Sequence, residues 1–221
     1  MTSTKTVNWT QTIETVLETG EPMILYGVTW DDYKNLHKSL GVDRSGIKTS
    51  FSKGILKIMP KSATHENYAE VVKLMVHSVS MKLRQRVLFY GSATMEKTEK
   101  HKGVEPDACF FVSRANLVSG KKRFDIGDIP PDIVVEIDVF HLSDDKFEIY
   151  SAFGVKEFWL YDEKIVRIFA LQDDGDYLII EKSLELPVLT AEILTEYLKR
   201  SQTQDQFDVL TDFEIWLNAQ K

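Results

Sequence analysis

The chain has 221 residues, of which 34 are acidic and 27 are basic, so its formal net charge is −7. Apolar residues make up 43% of it and aromatic residues 11%, which excludes an intrinsically disordered protein. No apolar run approaches the ~20 residues that cross a bilayer, the N-terminus lacks a signal-peptide core, and the single cysteine, Cys109, excludes internal disulfides and cysteine-rich zinc sites. We therefore expect a soluble, cytoplasmic protein with no membrane partner, built as one domain over residues 1–221.

Hydrophobic periodicity and turn residues predict the elements in chain order. Residues 1–25 are polar and weakly patterned, which predicts an N-terminal arm. A helix is expected to begin after Thr29 as its N-cap and to end near Gly41. The elements that follow are strands over 47–51 and 55–59, a helix over 65–86, a strand over 87–91, a polar hairpin-like segment over 96–103, strands over 104–112 and 132–139, a helix over 144–153, strands over 157–161, 166–170 and 177–180, and helices over 191–200 and 206–218.

The order of elements between residues 65 and 161 indicates the fold class. It reads helix, three strands, helix, strand (α-β-β-β-α-β), which predicts an α/β (α+β) core with a mixed central sheet flanked by helices. The N-terminal helix and hairpin, and the C-terminal helices within 190–221, are additions to this core.

The predicted strand over 132–139 carries acidic side chains within a nearly continuous β-branched run. Such runs are typical of strands that are buried on both faces. Because side chains alternate along a strand, Asp132, Glu136 and Asp138 share one face. Buried carboxylates without partners cost several kcal/mol, so a cation, a metal ion or strong donors should compensate them. The alternative is an edge strand whose acids face water.

The predicted strand over 104–112 repeats this pattern. Glu105 and Asp107 share one face, and Pro106 between them lacks an amide donor, so the strand pairing should open there. Carboxylates from adjacent strands, ~4.8 Å apart, would hold a hard divalent cation such as Mg²⁺. Lys146, near the start of the next helix, would orient a water nucleophile or neutralise developing charge; the alternative is a solvated ion pair within its own helix.

These residues occur in an order that resembles a known family. The matching segments are Glu105-Pro106-Asp107, Pro131 to Asp138, then Lys146, Tyr150 and Gly154 to Asp162, with upstream likeness at Trp30 to Tyr33, over 54–60 and at His65-Glu66. The set resembles the Uma-type putative restriction endonucleases, a family common in cyanobacteria that belongs to the PD-(D/E)XK nuclease superfamily. The likeness covers residues 28–180, and it implies a restriction-endonuclease-like core.

The resemblance also implies roles for individual residues. Asp107 and Glu136 would bind Mg²⁺, with Mn²⁺ as a possible substitute, and a lysine would assist catalysis. In the superfamily this lysine follows the glutamate by two residues, where this chain has Asp138. Some members supply it from the following helix, which nominates Lys146.

Further side chains are candidates for supporting roles. A glutamate from the first helix joins such sites, for which Glu66 and Glu70 are both candidates, and Glu105 and Asp138 are second-line acids. His65 would contact phosphate or the metal ion; the alternative is a capping or surface histidine. The cluster Lys121, Lys122 and Arg123 would contact DNA outside the cleft, and three charges on a loop are by themselves a weak signal.

The sequence therefore predicts a Mg²⁺-dependent DNA endonuclease. We expect a homodimer, because two copies related by a two-fold axis cut both strands of a duplex most simply. The alternative, motivated by Asp138 in place of lysine, is a catalytically degenerate nuclease-like fold that binds nucleic acid or protein.

Overall fold

The computed structural model describes residues 8–40, 46–121, 124–140 and 145–220. In chain order its elements are α1 (Trp9–Thr19), β1 (Met23–Tyr26), α2 (Trp30–Leu40), β2 (Ile47–Ser52), β3 (Ile55–Pro60), α3 (Ala63–Leu83), β4 (Leu88–Phe89), β5 (Met95–Lys97), β6 (Lys102–Val104), β7 (Ala108–Phe111), α4 (Ala115–Val118), β8 (Ile133–Ile137), α5 (Lys146–Phe153), β9 (Glu157–Tyr161), β10 (Val166–Leu171), β11 (Tyr177–Ile180), α6 (Ala191–Arg200) and α7 (Gln206–Ala219). In these ranges no helix combines the length and the apolar character that a membrane span needs.

The strands form two sheets. The first is antiparallel in the order β1-β3-β2-β6-β5, and the second has the order β11-β10-β9-β8-β7-β4 with one parallel pair, β8 with β9. The predicted α/β class with a mixed sheet is confirmed. The series α3-β4-β7-β8-α5-β9 is the expected helix, three strands, helix, strand, and the hairpin of β5 and β6 is inserted into it and pairs with the first sheet.

Strand β8 lies in the middle of the second sheet, between β7 and β9. The alternative of a solvated edge strand is therefore wrong. Val135 on one face packs with apolar side chains of α3, α6 and α7, whereas Val134 on the other face packs with Tyr150 and its neighbours on α5. This alternation is the one predicted from the sequence, and it leaves Glu136 on the α5 face.

The first sheet packs against two helices near the N-terminus. Within the predicted arm, residues 9–19 form α1 with Asn8 as its N-cap, and Trp9 and Val16 are buried against this sheet. Helix α2 is capped as predicted, since Thr29 Oγ1 accepts from the Asp32 amide and Asp32 accepts in turn from the Thr29 amide. The segment 1–25 thus contributes a helix and the edge strand β1 to the first sheet.

The single strand predicted over 104–112 is wrong. Strand β6 ends at Val104 in the first sheet and β7 begins at Ala108 in the second, so Glu105, Pro106 and Asp107 cross between the sheets. Proline interrupts a ladder, as expected, but here the interruption separates two sheets.

Two helix starts also differ from prediction. Helix α3 begins at Ala63, because Ser62 accepts from the His65 amide as the N-cap. Helix α5 begins at Lys146, and the predicted first residue of this helix, Asp144, lies outside the described residues. Gly154 ends α5 as predicted, with φ of 77°.

Candidate active site

Two carboxylates meet where β7 and β8 run side by side. The strands are antiparallel, with Ala108 opposite Val135, and the Asp107 amide donates to the Val135 carbonyl at 2.9 Å. This register places the Asp107 side chain beside the end of β8, where Oδ2 accepts from the Ile137 amide at 2.7 Å. Asp107 and Glu136 therefore lie on the same face of the second sheet, facing α5.

Lys48 of β2 lies between these two carboxylates. Its Nζ is 2.7 Å from Asp107 Oδ2 and 2.6 Å from Glu136 Oε2, so one ammonium group bridges both acids. Lys48 is 3% exposed and comes from the first sheet, which places the site between the two sheets. Lys48 is not among the residues predicted for the site; the signal available in the sequence is a lysine within the strand predicted over 47–51.

Helix α5 supplies two more partners for Glu136. Lys146 Nζ lies 2.5 Å from Glu136 Oε2, and the Tyr150 hydroxyl donates to Glu136 Oε1. Lys146 and Tyr150 are four residues apart, so one face of the helix presents both to the strand. The structure thus brings Asp107, Glu136 and Lys146 together, as the sequence predicted.

His65 closes the site from the first turn of α3. Its Nε2 lies 2.8 Å from the Ile137 carbonyl oxygen and 3.3 Å from Asp107 Oδ2. The imidazole thereby contacts the same Asp107 oxygen that Lys48 contacts. His65 is buried, so the alternative of a surface histidine is wrong.

Charge within the site is balanced by two carboxylates and two ammonium groups. Burial by itself raises the pKa of Asp107, but Lys48, and after it His65, hold that pKa well below its ordinary value. Burial lowers the pKa of Lys48, yet Asp107 and Glu136 raise it above the ordinary lysine range. The pKa of Lys146 is lowered, because burial and the repulsion from Lys48 outweigh the attraction of the carboxylates. Burial, and then Glu136, raise the pKa of Tyr150.

The predicted supporting acids lie in other surroundings. Glu105 turns toward the first sheet, where it accepts from the Thr49 amide at 3.2 Å and from Thr94 Oγ1 at 2.8 Å; the prediction that it shares a face with Asp107 is wrong. Asp138 is half-buried just beyond β8, and its amide donates to the Tyr161 carbonyl.

The two glutamates of α3 lie on the exposed side of that helix. Glu66 pairs with Lys61 at 3.8 Å, and Glu70 pairs with Lys73 at 2.7 Å, each with a side chain about half exposed. In the predicted basic cluster, Lys121 is exposed, and Lys122 and Arg123 lie outside the described residues.

A further buried acid, Asp132, directly precedes β8, the strand of Glu136, and its side chain bonds the loop after β7. It accepts from the amides of Val112 and Arg114, each at 2.8 Å, and pairs with Lys156 at 2.9 Å. Burial raises the pKa of Asp132, but these donors together lower it. The acid is thus compensated by strong donors, which was one of the predicted possibilities.

The site offers two carboxylate oxygens to a divalent ion. Across the described ranges, no group of three or more His, Cys, Asp or Glu side chains is arranged to hold a metal. Asp107 Oδ2 and Glu136 Oε2 nevertheless already share one cation, the Lys48 ammonium, at 2.7 and 2.6 Å. Two carboxylate oxygens that converge on a cation suit a hard ion such as Mg²⁺, provided that Lys48 moves aside.

Comparison with known proteins shows similarity to a family model and to solved structures. A family model described as Uma2, putative restriction endonuclease, matches residues 30–202. A crystal structure described as a putative nuclease belonging to DUF820, from Anabaena variabilis ATCC 29413, is similar at 14% identity and a TM-score of 0.49, covering 85% of this chain and 99% of that chain. No curated protein matches the chain.

Proposed function

The chain belongs to the Uma2 family of putative restriction endonucleases, as its sequence suggested, and we propose that it is a metal-dependent nuclease that hydrolyses phosphodiester bonds in DNA. The observation that carries the proposal is the convergence of Asp107, Glu136 and Lys146 from two neighbouring strands and the helix that follows them. Acids and a lysine gathered in this way suit the hydrolysis of a charged ester.

Each residue of the site has a proposed role. Asp107 and Glu136 would hold Mg²⁺, or Mn²⁺ in its place. When bound, such an ion supplies Lewis-acid stabilisation of the phosphoryl oxygens and a more acidic water. His65 positions Asp107 through Nε2, and Tyr150 positions Glu136 through its hydroxyl.

The two lysines replace the one that the superfamily pattern has at position 138. Lys146 Nζ, held by Glu136 Oε2, would orient the attacking water and offset charge that develops on the phosphate. Lys48 brings a second positive charge to the same oxygen. Asp138, half-buried beyond β8, is left without a proposed catalytic role.

A second candidate function is a nuclease-like fold that binds without cutting. The observation in its favour is that Lys48 and Lys146 already neutralise both carboxylates, so the site is charge-balanced without any metal ion. A binding module needs no displacement of Lys48, whereas a nuclease does.

Cleavage of supercoiled plasmid, with Mg²⁺ or Mn²⁺ and with EDTA as a blank, tests the proposal. We expect nicking by the wild-type chain and a loss of at least about 100-fold in Glu136→Gln and Lys146→Met. The matched control is Glu70→Gln, which removes an exposed carboxylate of α3 and should cut like the wild type. Cleavage that persists in Glu136→Gln would show that the active site lies outside this cluster. Wild-type chain that binds DNA in the presence of the metal ion but does not nick it would favour the binding module.

We also propose that the nuclease is a homodimer, since double-strand cleavage is simplest with two sites related by a two-fold axis. Light scattering of the purified chain, read together with the ratio of linear to nicked plasmid, tests this part. A monomer that produces nicked plasmid only would contradict it.

A further inference from the structure

A cleft of about 720 Å³ opens at the far end of β2 from the candidate active site. Two turns border it: the two-residue turn between β2 and β3, and the turn between β5 and β6. Each turn carries a non-glycine residue in the left-handed region, Lys53 with φ of 52° and His101 with φ of 47°. The tight β2–β3 hairpin turn requires this conformation, and His101 adopts it as the cap of a short helical turn. Both residues are basic and line the same cleft.

The charge of the cleft is opposite in sign to that of the whole chain. Lys53, Lys100 and Lys102 line it together with His101, whereas its acidic lining consists of Asp31 and Glu148. The chain as a whole has a net charge of −7. Three lysines against two acids leave one positive charge in the lining, which favours an anionic over a cationic ligand.

Lys100 Nζ donates to the Ala152 carbonyl oxygen at 2.9 Å. Glu148 pairs with the other two lysines of the cleft. It lies 2.7 Å from Lys102 Nζ and 2.5 Å from Lys53 Nζ, and Lys102 also donates to Ser52 Oγ at 2.9 Å. Lys102 is 8% exposed, so its ammonium group is held in place by these partners rather than extended into solvent.

Three aromatic rings lead from the core into the cleft. The Tyr33 and Trp30 ring centroids are 5.1 Å apart, and Trp30 and His101 follow at 5.8 Å with planes inclined by 16°. Exposure rises along the series, from buried Tyr33 through half-buried Trp30 to exposed His101. A stack of nearly parallel rings that ends at an exposed member can be extended by one more flat ring.

The cleft is connected to the candidate active site along β2. Lys48, Ser50 and Ser52 lie on one face of the strand, so the cleft begins about 13 Å from Lys48 at ~3.3 Å per residue. Ser50 is fully buried, and its Oγ has no hydrogen-bond partner within the described part of the chain. Ser50 and Ser52 thus form a polar strip between Lys48 of the candidate active site and Lys102 of the cleft.

We propose that this cleft binds a segment of single-stranded nucleic acid, with one base stacked on His101 and its phosphates at Lys53 and Lys100. A positive groove that carries stacking rings is the usual design for such ligands. This binding goes beyond the proposed cleavage reaction and requires no metal ion, so the two are tested separately.

Fluorescence anisotropy with a fluorescein-labelled dT₁₂ oligonucleotide in EDTA measures the binding. His101→Asn removes the ring and keeps a residue that tolerates the left-handed conformation, and we expect at least about fivefold weaker binding. The pair Lys53→Asn and Lys100→Gln should weaken binding and lower the slope of log affinity against log salt by about 1.4, which is ~0.7 for each lost phosphate contact.

The matched control is the double variant Lys164→Gln and Lys199→Gln, which removes two exposed lysines from the β9–β10 turn and α6. It should bind like the wild type. Wild type that does not bind the oligonucleotide, or cleft variants that match this control while their thermal unfolding is unchanged, would overturn the proposal. Binding in EDTA without cleavage in Mg²⁺ would contradict only the proposed nuclease activity. Cleavage by the wild type, together with normal oligonucleotide binding by the cleft variants, would contradict only the proposed binding cleft.

Discussion

The ammonium group of Lys48 lies 2.6 Å from Glu136 Oε2, across the boundary between the two sheets. The same group lies 2.7 Å from Asp107 Oδ2. An internal cation therefore lies between the two carboxylates that we propose as metal ligands. If they bind a divalent ion, we expect the lysine and the ion to compete for the same two oxygen atoms.

Substitution of Lys48 by methionine tests this competition. Without metal we expect Lys48→Met to lose about 3 kcal/mol of stability, because two buried carboxylates lose a shared partner. Mn²⁺ should then raise the melting temperature of Lys48→Met more than that of the wild type, since the ion no longer has to displace an ammonium group. Thermal unfolding with and without Mn²⁺, and the electron paramagnetic resonance signal of bound Mn²⁺, measure both effects.

Lys57→Met is the control for that experiment, because Lys57 pairs at 2.7 Å with Asp145, outside the site. It should change neither Mn²⁺ binding nor the metal dependence of unfolding. Equal Mn²⁺ affinity in Lys48→Met and the wild type would show that Lys48 and the ion do not share a site.

The hydroxyl of Tyr150 should matter more than that of another tyrosine on the same side of the second sheet. Tyr150→Phe leaves Glu136 Oε1 without its donor, and hydrogen bonds to charged groups contribute about 1.5–3 kcal/mol. Tyr177→Phe removes a bond to the neutral Val155 carbonyl and should cost about 1 kcal/mol. Urea unfolding measures the free energy of unfolding of both variants. An equal decrease in the two would show that the hydrogen bond to Glu136 stabilises the fold no more than the bond to the Val155 carbonyl.

Asp132 predicts a pH dependence of stability. Its pKa is lowered in the folded chain, so the carboxylate contributes stability above the unfolded pKa, near 4, and that contribution is lost as the pH falls through the folded pKa. We expect Asp132→Asn to be destabilised by about 2–3 kcal/mol at neutral pH and the difference from wild type to shrink below about pH 4. Denaturant unfolding at several pH values measures it, and a constant difference across this window would contradict the assignment.

Gly103 should not tolerate a side chain. A Cβ at this position would lie 2.2 Å from the Tyr33 hydroxyl oxygen, in the packed space between β6 and α2. We expect Gly103→Ala to lose about 1–3 kcal/mol, the usual cost of overpacking a core. The melting temperature measures the loss, and an unchanged value would show that Tyr33 has room to move.

The sequence predicted the central strands and the pair of acids, Asp107 and Glu136, because both follow from patterns among residues that are close together in the chain. The alternation of β8 follows from residues next to one another in the chain, and it is enough to place Glu136 on the opposite face of the strand from Val135. The same reasoning, with a helix that follows the strand, brought Lys146 to Glu136. It failed for Glu105, because a single strand was assumed where Pro106 carries the chain from one sheet to the other.

Helix α3 shows where the local pattern was insufficient. His65 and Glu66 are adjacent, so they point about 100° apart around the helix, and only the packing of α3 on β8 decides which one faces the site. The structure gives that position to His65 and leaves Glu66 on the exposed side with Lys61. The sequence alone left Glu66 and Glu70 equally plausible.

By itself the sequence determined the order of helices and strands, the buried acidic strand and the family, because these depend on patterns within short segments. Only the tertiary structure decided that Lys48 bridges Asp107 and Glu136, since it is 59 and 88 residues away from them and reaches them from a different sheet. A contact of that kind depends on how two sheets pack against each other, and no periodicity along the chain records that packing.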